Sequence, residues 1–199
     1  MIVALRAMPA LPTRVLVYGD SIAVGVDAPP PYTLGWVGRL VTYLVGSGAV
    51  ATEAYGGREL HNDAADSTAR AAFTTQLVAY EPTILWLAIG LNDKMTDAWS
   101  TAAFATAYGD LIDRVHSANS TITIYAQTPT ITTSESANGL GYTLPNYRTA
   151  ISGLSSGRAW LHIVDGTALI STSDLADGIH PTTAGHGIYY AAVKTILGL

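Results

Sequence analysis

Four short stretches of the chain are predominantly apolar and bounded by turn residues: 15–18 (Val-Leu-Val-Tyr), 83–89, 121–126 and 160–164. Short runs flanked in this way read as strands buried on both faces. A weaker fifth covers 49–55. Between them, apolar positions recur at helical spacing. Residues 34–45 set Val37, Leu40, Val41 and Leu44 on one face, and 104–116 bring Tyr108, Leu111, Ile112 and Val115 together. Residues 69–80 are alanine-rich and stop just before Pro82, and 182–197 close the chain. Strands alternating with helices imply a parallel sheet covered on both sides. The expected fold is therefore α/β, three layers deep (α/β/α), around a five-stranded parallel sheet. Residues 127–145 interrupt the pattern, being rich in Thr, Ser, Gly and Asn and without a period. A loop of this length in a compact domain is usually functional or disordered. Because it follows a strand, it is expected to border the site. With no internal repeat or linker, residues 1–199 read as one domain, 1–12 being a poorly ordered extension.

Composition narrows the function. The 199 residues suffice for one full core. Charged residues make up 13%, against about 25% in an average domain, so Ser, Thr, Asn and Gly supply most of the polar surface. The net charge is −5 and no basic cluster occurs, which argues against nucleic acid as a partner. Cysteine is absent, which removes disulfides, thiolate metal sites and thiol catalysis. The strongest apolar stretch, 84–91, is far shorter than the roughly 20 residues of a membrane helix. Residues 1–12 make a poor signal peptide. The compartment is thus cytoplasmic by default, or exported if a leader was removed. Oligomeric state is not written in these residues.

Candidate chemistry lies at the ends of the expected strands, where parallel sheets place their sites. Gly19-Asp20-Ser21-Ile22 follows the first strand, Gly56-Gly57-Arg58 the second and Gly90-Leu91-Asn92-Asp93 the third, while Asp177-Gly178-Ile179-His180-Pro181 precedes the last helix. A serine hydroxyl needs a base within hydrogen-bond reach, and the base needs an orienting acceptor. Ser21, His180 and Asp177 supply those parts. Ser21 at a strand-to-helix turn has a free backbone N–H. A glycine at the second strand end, Gly57 or Gly56, lets substrate approach the main chain closely. Asn92 offers a neutral amide donor. Together these three donors suit an oxyanion hole. Pro181 fits the start of a helix.

These four blocks, in this order, resemble the SGNH-hydrolase (GDSL esterase/lipase) family from residue 19 to residue 181. The resemblance implies a flavodoxin-like fold and a serine esterase that works without metal or cofactor. It assigns Ser21, Asp177 and His180 to catalysis and Ser21, Gly57 and Asn92 to the oxyanion hole, favouring Gly57 over Gly56. The polar loop 130–142 has no greasy lid, so short acyl groups, acetyl to butyryl, on small or carbohydrate alcohols are expected. The alternatives are a lysophospholipase or thioesterase acting on longer chains, and a non-catalytic binding module. The α/β-hydrolase elbow is excluded because Ala23 stands where its second glycine belongs. Dinucleotide and P-loop signatures are absent.

Other residues have plainer readings. Asp20 is expected to bond loops beside Ser21, and Asp93 to cap the segment after it. A zinc site from Asp177, His180 and His186 lacks a second histidine pair and is not favoured. His61, His116 and His162 read as surface or packing residues. Tyr32, Trp36, Trp99 and Tyr142 are candidates to line a cleft. Arg58 and Lys94 read as solvated surface charges.

Overall fold

The computed structural model describes residues 12–65, 77, 79–97 and 99–199. Of the sequence-based expectations, the extension 1–12 and the helix over 69–80 lie almost wholly outside these residues. The described elements in chain order are β1 (Thr13–Gly19), α1 (Ser21–Val24), α2 (Pro31–Leu34), α3 (Trp36–Leu44), β2 (Gly48–Ala54), α4 (Leu60–Ala65), β3 (Ile84–Ala88), α5 (Leu91–Met95), α6 (Thr101–Ala118), β4 (Thr123–Gln127), α7 (Leu144–Ser152), β5 (Leu161–Val164) and α8 (Thr183–Ile196). All five expected strands are present. They pair in parallel in the order β2-β1-β3-β4-β5. No helix among the described residues is long and apolar enough to cross a membrane.

Side chains of a strand alternate between faces, and here both faces are covered. Leu16, Tyr18, Leu85, Leu87 and Ile124 point to one side, where α6 brings Phe104, Tyr108, Leu111 and Ile112, and α7 brings Tyr147 and Ile151. Val15, Val17 and Trp86 point to the other, against Trp36, Leu40 and Leu44 of α3 and Tyr189 and Val193 of α8. This double burial explains why Val15–Tyr18 of β1 and Ile84–Ala88 of β3 read as unbroken apolar runs. The edge strand β2 is only partly buried, and its sequence signal is correspondingly weak.

Two features differ from the sequence reading. The irregular segment spans 128–143 and gives way to α7, whose Leu144, Tyr147 and Ile151 are buried at helical spacing. The expected cleft residue Trp36 is fully buried and packs on Trp86 and Tyr189, with ring centroids 6.2 and 5.0 Å away. It belongs to the core.

Register aligns the ends from which the site is built. Gly19 pairs with Ala54 on one side and with Ala88 on the other, and Ala88 pairs with Gln127. The segments after β1, β2 and β3 therefore leave the sheet side by side. Gly19 is needed for close packing, since a Cβ there would lie 2.6 Å from that of Ala23. The first turn of α1 is thereby drawn tightly onto the strand.

Candidate active site

Ser21 is the first residue of α1 and is 7% exposed. Asp20 precedes it as N-cap, its Oδ1 accepting from the Ile22 N–H at 3.0 Å. Asp20 thus holds the turn that presents Ser21, as its structural reading anticipated. Burial raises the Asp20 carboxyl to about 6, against the opposing pull of the Ile22 N–H and of His180.

The far end of the chain supplies a closed hairpin. Leu175 and Pro181 form an antiparallel bridge, the Ala176 N–H donates to the His180 carbonyl at 2.8 Å, and Thr182 N–H donates to Asp174 at 2.7 Å. At the tip, Asp177 Oδ1 accepts from the N–H groups of Ile179 (2.9 Å) and His180 (2.7 Å), an Asx-type turn. Its other oxygen lies 2.7 Å from His180 Nδ1, and His180 Nε2 lies 2.8 Å from Ser21 Oγ. Three groups expected to act together are therefore linked atom to atom. Burial pushes the Asp177 carboxyl up, but the bonds from His180 and Ile179 outweigh it and bring it down to about 2. Near neutral pH Asp177 is a carboxylate, able to accept from Nδ1–H and to stabilise an imidazolium.

Pro181 does not start α8. It sits in the bridge, and Thr182 caps the helix by accepting from the Gly185 N–H at 3.0 Å. A side-chain acceptor satisfies an orphan donor, which proline at that place could not do.

The residues expected to supply the remaining donors follow β2 and β3. Tyr55 to Arg58 form a turn in which the Arg58 N–H donates to the Tyr55 carbonyl at 3.3 Å. Gly57 adopts φ +73° there, whereas Gly56 has no positive φ. Asn92, in α5, donates one Nδ2 hydrogen to the Arg58 carbonyl at 3.0 Å. A primary amide carries two such hydrogens, so one remains to offer.

Several neighbours have other roles than their sequence suggested. Arg58 is 6% exposed and is no solvated charge. Its Nε meets Asp63 Oδ2 at 2.7 Å, its guanidinium lies 3.7 Å from the Tyr18 ring centroid, and it also donates to the Glu53 carbonyl. Tyr18 donates to the same Asp63. Arg58 is a buried strut under the second loop. Asp93 does not cap the segment after it. It is fully buried and accepts from the N–H groups of Leu60 (3.0 Å) and His61 (2.8 Å), capping α4 from across the fold. Burial raises its carboxyl to about 6, although those two bonds oppose the shift.

His186 is fully buried. Its Nδ1 accepts from the Trp36 N–H at 3.3 Å and its Nε2–H donates to the Val26 carbonyl at 3.0 Å. Burial lowers its tendency to protonate. With both nitrogens engaged, it offers no lone pair to the trio with Asp177 and His180. His61 packs on Trp99, His116 on Trp160 and His162 on Tyr125. Tyr32 is largely exposed, and Tyr142 and Trp99 pack on the core beneath α6.

Two participants carried no sequence signal. Thr133, in the long loop, donates its N–H to the Gly178 carbonyl at 2.9 Å and so fastens that loop to the Asp177–His180 hairpin. Asp27 brings a second carboxylate to His180, with Oδ2 3.9 Å from Nδ1. Ligand-type atoms of Asp27, Asp177 and His180 lie within 4.8 Å of one another. Both residues sit in composition that signals only loop.

A model of the GDSL-like Lipase/Acylhydrolase family matches residues 17–188. Among solved structures, a carbohydrate acetylesterase from Sinorhizobium meliloti superposes with a TM-score of 0.74 at 18% identity, covering 94% of this chain and 99% of that one. An aryl esterase from M. smegmatis gives 0.71 at 19% identity, over 94% and 98%. A carbohydrate esterase family 3 protein from Talaromyces cellulolyticus gives 0.69 at 18%, over 93% and 96%. At these identities the likeness is one of fold. No curated protein matches the chain by sequence.

Proposed function

The chain belongs to the GDSL-like lipase/acylhydrolase family of carboxylic ester hydrolases, and from that premise we propose that it cleaves short-acyl esters, acetyl to butyryl, of small or carbohydrate alcohols through an acyl-Ser21 intermediate. The observation that carries this reading is the continuous relay from Ser21 Oγ through His180 to Asp177, at 2.8 and 2.7 Å. Ser21 Oγ attacks the ester carbonyl while its proton passes to His180 Nε2. The imidazolium so formed is held by Asp177 at Nδ1. Negative charge on the carbonyl oxygen is met by the N–H groups of Ser21 and Gly57 and the free amide hydrogen of Asn92. Collapse expels the alkoxide, which takes the proton from His180. Water, deprotonated by His180, then attacks the acyl-serine. Collapse breaks the bond to Ser21 Oγ, which takes the proton back from His180, and the carboxylic acid is released.

Short acyl groups are favoured by the polar loop 128–143 that borders the hairpin and by structural neighbours described as acetyl or carbohydrate esterases. The cavity of about 360 Å³ lined by Arg14, Thr83, Asn119 and Ile122 lies at the amino ends of the strands, opposite the site, and offers no acyl channel. A second reading, longer acyl chains, draws on exposed Tyr55, Met95 and Leu140 in segments after β2, β3 and β4.

A fluorophosphonate probe should label the wild type and leave Ser21→Ala unlabelled. Absence of both labelling and p-nitrophenyl acetate turnover would overturn the proposal. Comparing p-nitrophenyl acetate, p-nitrophenyl octanoate and an acetylated sugar fixes the acyl preference. Faster octanoate hydrolysis would favour the second reading.

A further inference from the structure

We infer that Asp27 is a second acid for His180, a positioning residue whose charge supports the imidazolium alongside Asp177; this rests on the Ser21–His180 chemistry proposed above. Asp27 Oδ2 stands 3.9 Å from His180 Nδ1, the same nitrogen that Asp177 meets at 2.7 Å. Among the described residues, its carboxylate makes no hydrogen bond. Charge is what it offers to its surroundings.

The backbone around Asp27 is braced on both sides. Gly25 and Val26 both donate to the Ser21 carbonyl at 3.1 Å, tying this segment to the residue that bears the nucleophile. The Val26 carbonyl accepts from buried His186 at 3.0 Å. Ala28 is fully buried and donates to Gly25 at 3.2 Å. Between these anchors Asp27 adopts φ +65°, in the left-handed region. Asp and Asn tolerate that region better than most residues. The turn leaves the side chain exposed to solvent, with its carboxylate 3.9 Å from the imidazole. His186 therefore contributes indirectly, by fixing the main chain next to Asp27.

When His180 takes the proton of Ser21, the new positive charge has two carboxylates on its Nδ1 edge. Asp177 accepts the hydrogen bond and fixes the ring, while Asp27 adds charge without competing for that bond. Asp20 and His186 also lie within electrostatic reach of His180. Asp27 also acts on His186, but burial is the larger influence there and holds that imidazole below its usual protonation range.

The test is kcat/KM against pH for the wild type, Asp27→Asn and Asp27→Glu, at low and at high salt. Asparagine keeps the backbone preference and removes only the charge. Its acid limb should move to lower pH by about half a unit, the scale on which unit charges roughly 4 Å apart interact in water. The shift should shrink in high salt, and Asp27→Glu should restore the wild-type limb. In the Asp177→Asn background, adding Asp27→Asn should lower kcat a further fivefold or more. An Asp27→Asn limb superimposable on the wild type, or an equal displacement in Asp27→Glu, would overturn the inference. If the wild type itself shows no Ser21-dependent turnover, the proposed esterase chemistry fails instead.

Discussion

The side-chain amide of Asn92 donates to the main-chain carbonyl of Arg58 at 3.0 Å, so the segment leaving β3 holds the turn leaving β2. One amide hydrogen fixes the neighbouring turn, and the other is the one proposed to meet the substrate oxyanion. Asn92→Ala should lower kcat by about 100- to 1000-fold, the usual cost of one oxyanion donor. KM should change little, since the donor acts mainly on the transition state. Steady-state kinetics on p-nitrophenyl acetate checks this. A KM effect with kcat intact would make Asn92 a ground-state contact.

Gly178 carries a comparable demand at the opposite wall. Its φ is +89°, and a Cβ there would stand 2.3 Å from Thr133 Oγ1. Gly178→Ala should destabilise the protein by about 1–3 kcal/mol and depress kcat by displacing the hairpin that carries His180. Adding Thr133→Ala relieves the collision while the backbone strain persists, so urea unfolding should show partial recovery.

Arg58, Asp63 and Tyr18 form a buried polar cluster with side-chain exposures of 7% for Arg58 and 12% for Asp63. Arg58→Met leaves the Asp63 charge without its partner, and a loss of about 3–5 kcal/mol is expected. The double variant Arg58→Met/Asp63→Leu should lose less than the sum of the single changes. Additive losses in denaturant unfolding would show that the two residues act independently.

Asp93 sets a pH dependence of stability. Folded, its carboxyl holds a proton up to about pH 6, whereas in the unfolded chain it ionises near pH 4. Between those values the folded state binds more protons, so stability present below pH 4 is lost as the pH rises through 6. The loss is of the order of 3 kcal/mol at most. Asp177 acts in the other direction and in a lower window, its contribution being lost as the pH falls from about 4 towards 2. Asp93→Asn keeps an acceptor for Leu60 and His61 but cannot ionise. Its melting temperature should rise relative to the wild type between pH 4 and 7. A constant difference across that range would remove Asp93 as the cause.

The sheet was legible because its inner strands are buried on both faces, so Val15 to Tyr18 and Ile84 to Ala88 are apolar at every position. The residues of the relay were legible because each block follows a strand or precedes the last helix in a recognisable order. What stayed hidden was determined by distant partners. Arg58 looks like any surface arginine until Asp63 and Tyr18 enclose it, and Asp93 caps a helix more than 30 residues upstream in the chain. Asp27 lies in a Val-Asp-Ala-Pro-Pro stretch whose composition marks a turn and nothing more. Only the packing of α8 against α3, through His186, gives that turn its direction.

Ser21 and His180 lie 159 positions apart, with four of the five parallel strands between them. A growing chain thus carries Ser21 from the outset, yet cannot join it to His180 until the last hairpin has docked. No fragment that ends before residue 180 can form this relay, so the esterolysis proposed for it is barred by topology until then. Contacts of such long sequence separation form late and at high loop-closure cost. Covalent labelling of Ser21 during refolding should therefore trail the recovery of helical signal, reading out the final step of assembly.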